Sequence, residues 1–405
     1  MKLKYFIPTL ILFFLFVLSP STSLATTPDI TQDTATSTST TTTSTELTVI
    51  PDMEYSKAII LDITEESRDQ NGGNYTERYQ NFKVKILSGT EKNNFVNVKN
   101  LNSISVTNKI EHHNIGEKIV ISKTYLIDGS VSYNYVDTYR LPSLIAIFII
   151  FIILVLIFGR LKGFGSLLGL LFSICVLGFF IVPQIAKGSN PLLITIIGSL
   201  VIVGVSLYLA HGFNHRTNLS MLSTLITLAI SVGLATVFVR ISTLFGTGSE
   251  DAFFLQTAQF GDINLQGLLL AGIIIGTLGV LDDITTAQTA VVGELRFANP
   301  NLNKQELNKR ALVVGKEHIS SLVNTLVLAY AGASLPLFLL FSVYQNTPIW
   351  YTINSQFMAE EIIRTLVGSI SLILAVPIST YIAAHFLSKR DISYIHENKF
   401  HRNHH

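Results

Sequence analysis

The sequence predicts an all-α membrane bundle of about seven transmembrane helices, preceded by a small N-terminal extracytoplasmic all-β domain of OB-like type. Hydrophobic residues make up 48% of the 405 residues and charged residues only 14%, whereas charged residues form about a quarter of an ordinary soluble domain. The apolar residues fall in long blocks after Leu141, and short alternating runs precede them. The chain is therefore expected to be an integral membrane protein.

The N-terminus carries the pattern of an export signal. Two lysines precede an apolar run over residues 5–18, and small residues follow at Ser23 and Ala25. This pattern predicts a signal peptide over residues 1–25, with an uncleaved membrane anchor as the alternative. Residues 26–46 are mostly Ser and Thr, which bury too little apolar surface to fold, so we expect a disordered tether there.

Residues 47–140 have the pattern of a small β domain. About five short runs alternate or are rich in β-branched residues, and turns containing Gly or Asn separate them. This spacing suggests an OB-like barrel, and its expected role is contact with an envelope protein. The net charge of +1 and the lack of a basic groove argue against nucleic acid. His112 and His113 could bind a metal, but adjacent side chains of a strand point to opposite faces, so we expect surface residues rather than a metal site.

Residues 141–387 contain about seven apolar segments, each long enough to cross about 30 Å of hydrocarbon. With the β domain outside, the inward loops carry basic residues such as Arg160, and the outward loops are mainly acidic. This pattern predicts a bacterial cell membrane protein whose tail, residues 388–405, is cytoplasmic. The histidines of that tail are not expected to bind a metal. The predicted spans are approximately 142–159, 164–184, 191–210, 218–239, 264–284, 319–343 and 362–386.

The fifth predicted span combines glycines with two adjacent carboxylates. Gly272, Gly276 and Gly279 are spaced for close contact with a neighbouring helix, because small residues let another backbone approach. Asp282 and Asp283 follow at once, and a carboxylate in or near hydrocarbon is costly unless it is paired, protonated or in contact with water. These aspartates are either ordinary residues at a helix end or members of a functional site.

Polar side chains continue from the aspartates along the same helix. Asp282, Thr285, Thr286 and Thr289 are spaced i, i+3, i+4 and i+7, which places them on one stripe. Asp283 lies beside this stripe, and Gln288 lies further along the helix. Carboxylate, hydroxyl and amide oxygens suit protons or hard cations such as Na⁺ or Mg²⁺. The stripe therefore predicts an ion or substrate site within the membrane.

The sixth and seventh predicted spans supply partners for this stripe. Asn324 in an apolar helix is expected to bond to a neighbouring helix or to water, and it is the candidate to face Asp282. Thr325 and Tyr330 lie on the same span and complete the candidate site. Glu361 and Arg364 lie one turn apart at the outer end of the seventh span, where an ion pair is the simple interpretation and an outer gate is the alternative.

Several chemistries are excluded by the motifs that the sequence lacks. No phosphate-binding loop of the Gly-x-x-x-x-Gly-Lys-Ser/Thr type is present, and no His-Glu-x-x-His motif is present. Intramembrane aspartyl proteases need aspartates on two facing helices, whereas these two are adjacent on one. We therefore expect neither an enzyme nor a bound cofactor.

Four segments have unusual compositions. They are GTLGVLDDIT at 276–285, VNTLVLAYAGASLP at 323–336, EIIRTLVGS at 361–369 and HGFN at 211–214. Through these segments, the chain over about residues 140–386 resembles the YibE/F-like family of bacterial multi-pass membrane proteins. The resemblance implies a multi-pass membrane protein with an exported β domain, and it suggests a permease.

Two hypotheses of function follow. The first is a transporter or permease driven by an ion gradient, in which Asp282 and Asp283 bind a proton or a cation. The second is a scaffold that transports nothing, in which the β domain recruits an envelope partner and the helices anchor it. A cavity lined by the polar residues favours transport, whereas an exposed aromatic patch on the β domain favours the scaffold.

Overall fold

The computed structural model describes residues 53–69, 76–100, 112–126, 129–257, 263–343 and 348–389. The predicted signal peptide, the Ser/Thr tether and the histidines of the tail lie outside these residues. Among the described residues, those up to Ile153 form one compact unit and those from Leu154 onward form another.

The first unit is built on one five-stranded antiparallel sheet in the order β3-β2-β1-β4-β5. Two further backbone hydrogen bonds join its outer strands, because Lys99 N–H donates to the Tyr133 carbonyl and Tyr135 N–H donates to the Lys99 carbonyl, both at 3.0 Å. The sheet therefore curls into a half-barrel. Its strands are β1 (Glu54–Asp69), β2 (Thr76–Ile86), β3 (Phe95–Val98), β4 (Lys118–Tyr125) and β5 (Val131–Thr138).

The concave face of this sheet holds an apolar core. Alternate residues of each strand point inward, as Phe82, Val84 and Ile86 do on β2, because side chains of a strand alternate between its faces. The core is completed by residues of the other strands, and they are Ala58, Ile60, Val98, Ile119, Ile121 and Tyr135. The alternation recognised in the sequence is therefore what folds this unit.

The prediction that both adjacent histidines lie at the surface is wrong for His113. His112 is exposed, whereas His113 is buried with 7% of its surface accessible. The ring of His113 packs edge-on against Phe82, with centroids 5.2 Å apart, and its Nδ1 lies 3.1 Å from Glu117 Oε2. Burial of a ring is favourable when apolar side chains pack against it and its polar atom has a hydrogen-bond partner. These contacts explain why His113 is buried although His112 is exposed.

A polar cluster ties the loop after β2 to the last two strands. Lys123 Nζ lies 2.9 Å from Glu91 Oε1, and the Tyr133 hydroxyl donates to Glu91 Oε2 at 2.6 Å. The hydrogen bond from Tyr133 and the one from Lys123 hold the pKa of Glu91 below its usual value. Burial, followed by the hydrogen bond to Glu91, raises the pKa of Tyr133 to about 12. The carboxylate form of Glu91 is therefore stabilised by folding.

We predict that the Glu91 cluster makes the stability of the β unit depend on pH. Because folding lowers the pKa of Glu91, its contribution is present above the unfolded value of about 4.5 and is lost as the pH falls through the folded value. Glu91→Gln should cost about 1 kcal/mol at pH 7 and flatten this acid dependence. Hydrogen exchange of β5 amides in the full chain, corrected for intrinsic rates, measures it. Glu54→Gln, at an exposed carboxylate of β1, should behave as wild type.

The chain is mostly helical from Leu141 onward because its residues are apolar over long stretches. Among the described residues, five helical segments are long and apolar enough to cross a membrane, or six if the bent pair Lys304–Ala333 and Leu335–Val343 counts as one span. A π-helical turn, Leu177–Ile181, joins α1 to α2. The helices are α1 (Leu141–Val176), α2 (Val182–Ala186), α3 (Pro191–His211), α4 (His215–Ile241), α5 (Glu250–Thr257), α6 (Leu265–Ala298), α7 (Lys304–Ala333), α8 (Leu335–Val343), α9 (Ile349–Asn354) and α10 (Gln356–Leu387).

The difference from about seven predicted spans arises in the first segment. The predicted spans 142–159 and 164–184 both lie within the 46-residue segment Leu141–Ala186. This segment is not one straight helix, because Arg160 has φ 50° and ψ −134°. A Cβ on Gly163 would collide with the Val155 carbonyl oxygen, yet residues eight apart lie about 12 Å apart along a straight helix. The chain therefore bends sharply at Arg160.

The predicted sixth span is also bent. It corresponds to the outer part of α7 together with α8, and the axes of these two helices differ by 59°. The bend lies at Ser334, two residues before Pro336, whose ring cannot continue the hydrogen bonding of the preceding turn. Pro377, in contrast, lies inside the continuous helix α10.

Helices α4, α6 and α10 contact one another at the centre of the helical unit, with α3 and α7 packed beside them. Their shared apolar core contains Leu207 of α3, Leu281 and Ile284 of α6, and Val376 of α10. These residues are at most 1% exposed. The helix that carries the two aspartates is therefore among the most enclosed of the described helices.

The close glycine contacts occur on a different helix from the one predicted. Gly272 and Gly279 are exposed, with no atom within 4 Å of where a Cβ would lie, and Gly276 touches only the hydroxyl of Tyr330. The prediction of a glycine contact face on α6 is therefore wrong for two of its three members. Instead, Gly165 and Gly169 of α1 lie directly against the α3 backbone at Leu209 and Ser206, in the spacing that lets two helices approach closely.

We predict that Gly165→Ala destabilises the helical unit by about 1–3 kcal/mol, because the added methyl group collides with the backbone of α3. The matched control is Gly204→Ala, whose methyl group would meet no atom within 4 Å. This variant should leave stability unchanged or raise it by up to about 1 kcal/mol. Denaturation midpoints of both variants in detergent measure the difference. Equal midpoints would contradict the contact.

Candidate functional site

The two adjacent aspartates of α6 have different surroundings. Asp282 is half-buried, and its Oδ1 is enclosed with no hydrogen-bond partner among the described residues. Asp283 is exposed. Consecutive residues of a helix point about 100° apart, so one carboxylate turns toward the bundle and the other away from it. Asp282 is therefore the inward member of the pair, and Asp283 is the outward member.

The polar stripe that follows Asp282 lies on the buried side of α6. Thr285, Gln288 and Thr289 are fully buried, and Thr286 is half-buried. Three further oxygens near that of Asp282 are enclosed without a hydrogen-bond partner in the described part of the chain, and they are Thr286 Oγ1, Gln288 Oε1 and Thr289 Oγ1. These four oxygens lie within about two turns of one helix. Each of them could accept a hydrogen bond or bind a hard cation.

Hydroxyl side chains on α4 face this stripe, and the sequence analysis missed them. Thr224 Oγ1 lies 2.6 Å from Thr285 Oγ1, and Ser231 Oγ donates to Ser371 Oγ of α10 at 2.7 Å. Their signal in the sequence is a spacing of alternately three and four residues, which keeps them on one side of the helix. The buried members on α4 are Thr217, Ser220, Thr224, Thr227 and Ser231.

Gln288 connects three helices through its side-chain amide. Its Nε2 donates to the Ala311 carbonyl of α7 at 2.9 Å and to Thr380 Oγ1 of α10 at 2.8 Å. Gly315 permits this approach, because a Cβ there would lie 2.9 Å from Gln288 Nε2. The Thr380 hydroxyl donates in turn to the Val376 carbonyl at 2.7 Å. Through these two hydrogen bonds, Gln288 holds α7 and α10 against α6.

The residues predicted on the sixth span do not gather around Asp282. Asn324 and Thr325 are exposed, and the Thr325 hydroxyl donates to the Ser321 carbonyl of its own helix at 3.0 Å. The expectation that Asn324 faces the Asp282 stripe is therefore not met. Tyr330 is half-buried and is the member of this set that reaches α6, where its hydroxyl lies against Gly276.

The acidic residues at the start of α10 form two separate contacts. Arg364 Nη1 lies 3.1 Å from Glu361 Oε1, which is the ion pair that their spacing predicts. Glu360 is only 4% exposed, and its Oε1 accepts the Gly248 backbone N–H at 2.9 Å and Gln356 Nε2 at 3.2 Å. Glu360 therefore joins the segment before α5 to α10, a contact that no pattern in the sequence indicated.

Charged and titratable groups lie near the last residue of α3 and along the second half of α6. The charge of His211, the last residue of α3, interacts with that of Asp283, and Lys162 interacts with His211. Arg216 Nη1 lies 2.9 Å from Glu294 Oε1 and links α4 to α6. The exposed aspartate is therefore adjacent to titratable and basic groups, whereas Asp282 is enclosed by apolar and hydroxyl side chains.

The donor set does not resemble a transition-metal site. No group of three or more His, Cys, Asp and Glu side chains that could hold a metal ion occurs among the described residues. The enclosed side-chain oxygens that follow Asp282 on α6 are hydroxyl and amide oxygens, and such oxygens favour a proton or a hard cation over a soft metal. Cys175, the one cysteine of the sequence, lies on α1.

We predict that Gln288 and Thr380 are energetically coupled. Gln288→Met keeps the side-chain length and removes both donated hydrogen bonds, and Thr380→Val removes one acceptor. Polar contacts between membrane helices contribute about 0.6–2 kcal/mol each. The double variant should therefore be less destabilised than the sum of the single variants by an amount in that range. Strict additivity in detergent unfolding would contradict the contact.

The chain was compared with known proteins. The family described as YibE/F-like protein matches residues 147–389, which covers more than half of the 405 residues. No curated protein and no solved structure matches the chain significantly. The matched region includes the aspartates of α6, the hydroxyl residues of α4 and the ion pair of α10. The chain therefore belongs to the YibE/F-like family.

Proposed function

We propose that this protein is an ion-coupled membrane transporter or permease in which Asp282 binds the coupling proton or cation. The observation that carries the proposal is the enclosed Oδ1 of Asp282, which has no hydrogen-bond partner among the described residues. It lies on a helix that is long and apolar enough to span a membrane. Ionisable groups in such helices are rare and commonly serve ion pathways.

The residues around Asp282 suit reversible binding of a small cation. An ionised carboxylate in hydrocarbon is costly, and a proton or a cation that joins it offsets this cost. Thr286 lies one turn away and supplies a second enclosed oxygen without a donor. Thr285 is already bonded to Thr224 at 2.6 Å, so it fixes α4 relative to the site. In the proposal, binding and release at Asp282 change how α4 and α6 pack.

The proposal assigns Asp283 a separate role as the group that a cation meets before Asp282. Asp283 is exposed and interacts electrostatically with His211. Two carboxylates one residue apart on a helix offer an outer and an inner position for the same ion. Tyr330 packs against Gly276 of the same helix, about two turns from Asp282, and is the candidate to limit access from the other side. The substrate class is not part of the proposal, and neither is any enzymatic activity.

We propose a topology of seven spans in a bacterial cell membrane, with the β unit outside and the C-terminus in the cytoplasm. The sharp bend at Arg160 supports two spans within Leu141–Ala186, because a straight helix of 46 residues would be about 70 Å long, more than twice the hydrocarbon thickness. The basic residues Arg160, Lys162 and Arg216 then lie on the inner side.

We also propose that the β unit is OB-like. Its strand order of β3-β2-β1-β4-β5 and the parallel bridge between Lys99 and Asn134 support a five-stranded barrel of this type. Exposed aromatic side chains support the second candidate function, a scaffold that recruits an envelope partner. Tyr55 and Phe95 are 63% and 62% exposed, and aromatic residues are enriched at protein interfaces.

We predict that Asp282→Asn abolishes ion-driven transport without loss of inserted protein, because Asn keeps the size and loses the exchangeable charge. Proteoliposomes with a trapped pH dye, screened against a solute library under proton and Na⁺ gradients, provide the assay. Asp283→Asn should slow transport, and Asp251→Asn, at an exposed residue of α5, is the matched control.

Two outcomes would contradict this prediction. The first is a wild-type protein that moves no ion with any solute under either gradient. The second is a cell in which Asp282→Asn keeps every phenotype of the wild type while a Tyr55→Ser, Phe95→Ser variant loses it. The second outcome would favour the scaffold.

A further inference from the structure

Asn324 lies at a depth where water is scarce. Helices α6 and α7 run antiparallel, and they meet at two levels, Gln288 against Gly315 and Gly276 against the Tyr330 hydroxyl. Asn324 lies between these two levels on α7. It is also eight residues beyond Lys316, which places it about 12 Å deeper along the helix. If α7 crosses the membrane with its neighbours, Asn324 is inside the hydrocarbon layer.

Asn324 points away from the rest of the helical unit. Leu322 packs against the main apolar core, and a Cβ on Gly368 of α10 would lie 3.2 Å from Leu326. Asn324 is two residues from each, which is about 200° around a helix. Its side chain is exposed and forms no hydrogen bond among the described residues. Its amide has two donors and an acceptor, and hydrocarbon satisfies none of them.

The residues around Asn324 form a face suited to another helix. Ser321, Thr325 and Ala329 are exposed and spaced four residues apart, and Ser320 and Leu328 flank Asn324. Small side chains at this spacing allow two helix backbones to approach closely, so that a polar side chain can reach across. The Thr325 hydroxyl is already bonded to its own helix. Asn324 is therefore the amide on this face that still requires a partner.

We propose that this face of α7 binds the same face of a second copy of the chain, with the two Asn324 amides hydrogen-bonded across a two-fold axis. A two-fold axis brings one residue opposite its own copy, and an amide is complementary to itself because it both donates and accepts. Aspartate or lysine would repel its copy at this position. The proposal does not rest on the proposed transport function, because Asn324 faces away from the side of α7 that packs on the bundle.

Disulfide cross-linking in vesicles of the full chain tests the contact. Cys175 is the one cysteine of the sequence, so Cys175→Ser provides a background without thiols. In that background, Ser321→Cys, on the same face and one turn from Asn324, should give a cross-linked dimer on oxidation with the Asn324 amide intact. Leu222→Cys, at a 39% exposed residue of α4, should not. Equal cross-linking at both positions, or none at Ser321→Cys, overturns the proposal.

A second measurement tests the amide itself. Single-molecule photobleaching in liposomes, over a range of protein-to-lipid ratios, gives the dimer dissociation constant of the wild type. Asn324→Leu should raise it at least about tenfold, since each 1.4 kcal/mol is a factor of ten, and Asn324→Gln should keep dimers because it keeps the amide. A wild type that is monomeric at every ratio, or an Asn324→Leu variant that dimerises as tightly, overturns the proposal. If Asn324→Leu inserts poorly, the cross-linking comparison decides.

Discussion

Helices in hydrocarbon gain little from hiding apolar side chains from one another, because lipid tails are as apolar as leucine. Close packing and hydrogen bonds between helices must supply the attraction, and in this protein small hydroxyl side chains provide both. Thr224 meets Thr285, and Ser231 meets Ser371, at 2.6 and 2.7 Å. Together with Gln288, these contacts hold α4, α6 and α10 as one core. The positions of α3 and α7, which pack beside these helices, and of Asp282 on α6 depend on that core.

This arrangement explains why Asp282 differs from its neighbours. On α4, most of the buried hydroxyl groups donate to the carbonyl four residues earlier, as Ser223, Thr227 and Ser231 do. A carboxylate cannot do so when it is ionised, because it has no proton to donate. Asp282 therefore keeps its requirement for a partner. The same reasoning applies to Asn324, which is on the side of α7 that faces away from the bundle and has no hydrogen-bond partner among the described residues.

The sequence predicted the features that depend on local pattern. Apolar length predicted the helical segments, alternation predicted the β sheet, and helical spacing predicted that Thr285 and Thr289 share the buried side of α6 with Asp282.

The sequence did not predict which side of a helix contacts a neighbour. A membrane helix is apolar all round, so its pattern carries little information on direction. The polarity of Asn324 predicts a contact with the Asp282 stripe, whereas its side chain is exposed. The spacing of Gly272 and Gly279 likewise predicts a contact face, but Gly165 and Gly169 make the contact. His113 could not be foreseen because its burial depends on Phe82 and Tyr135, which are distant in the chain.

The bridge at Lys99 has a consequence for how the β unit behaves among many copies. The last residues of an open sheet leave backbone N–H and C=O groups unpaired, and such edges associate with other chains. Here Lys99 engages the backbone of Tyr133 and Tyr135, so the short strand β3 and the strand β5 protect each other along this stretch. These edge groups are therefore paired within one chain and are not open to a strand of another copy, and no disulfide is involved, since the one cysteine of the sequence is on α1.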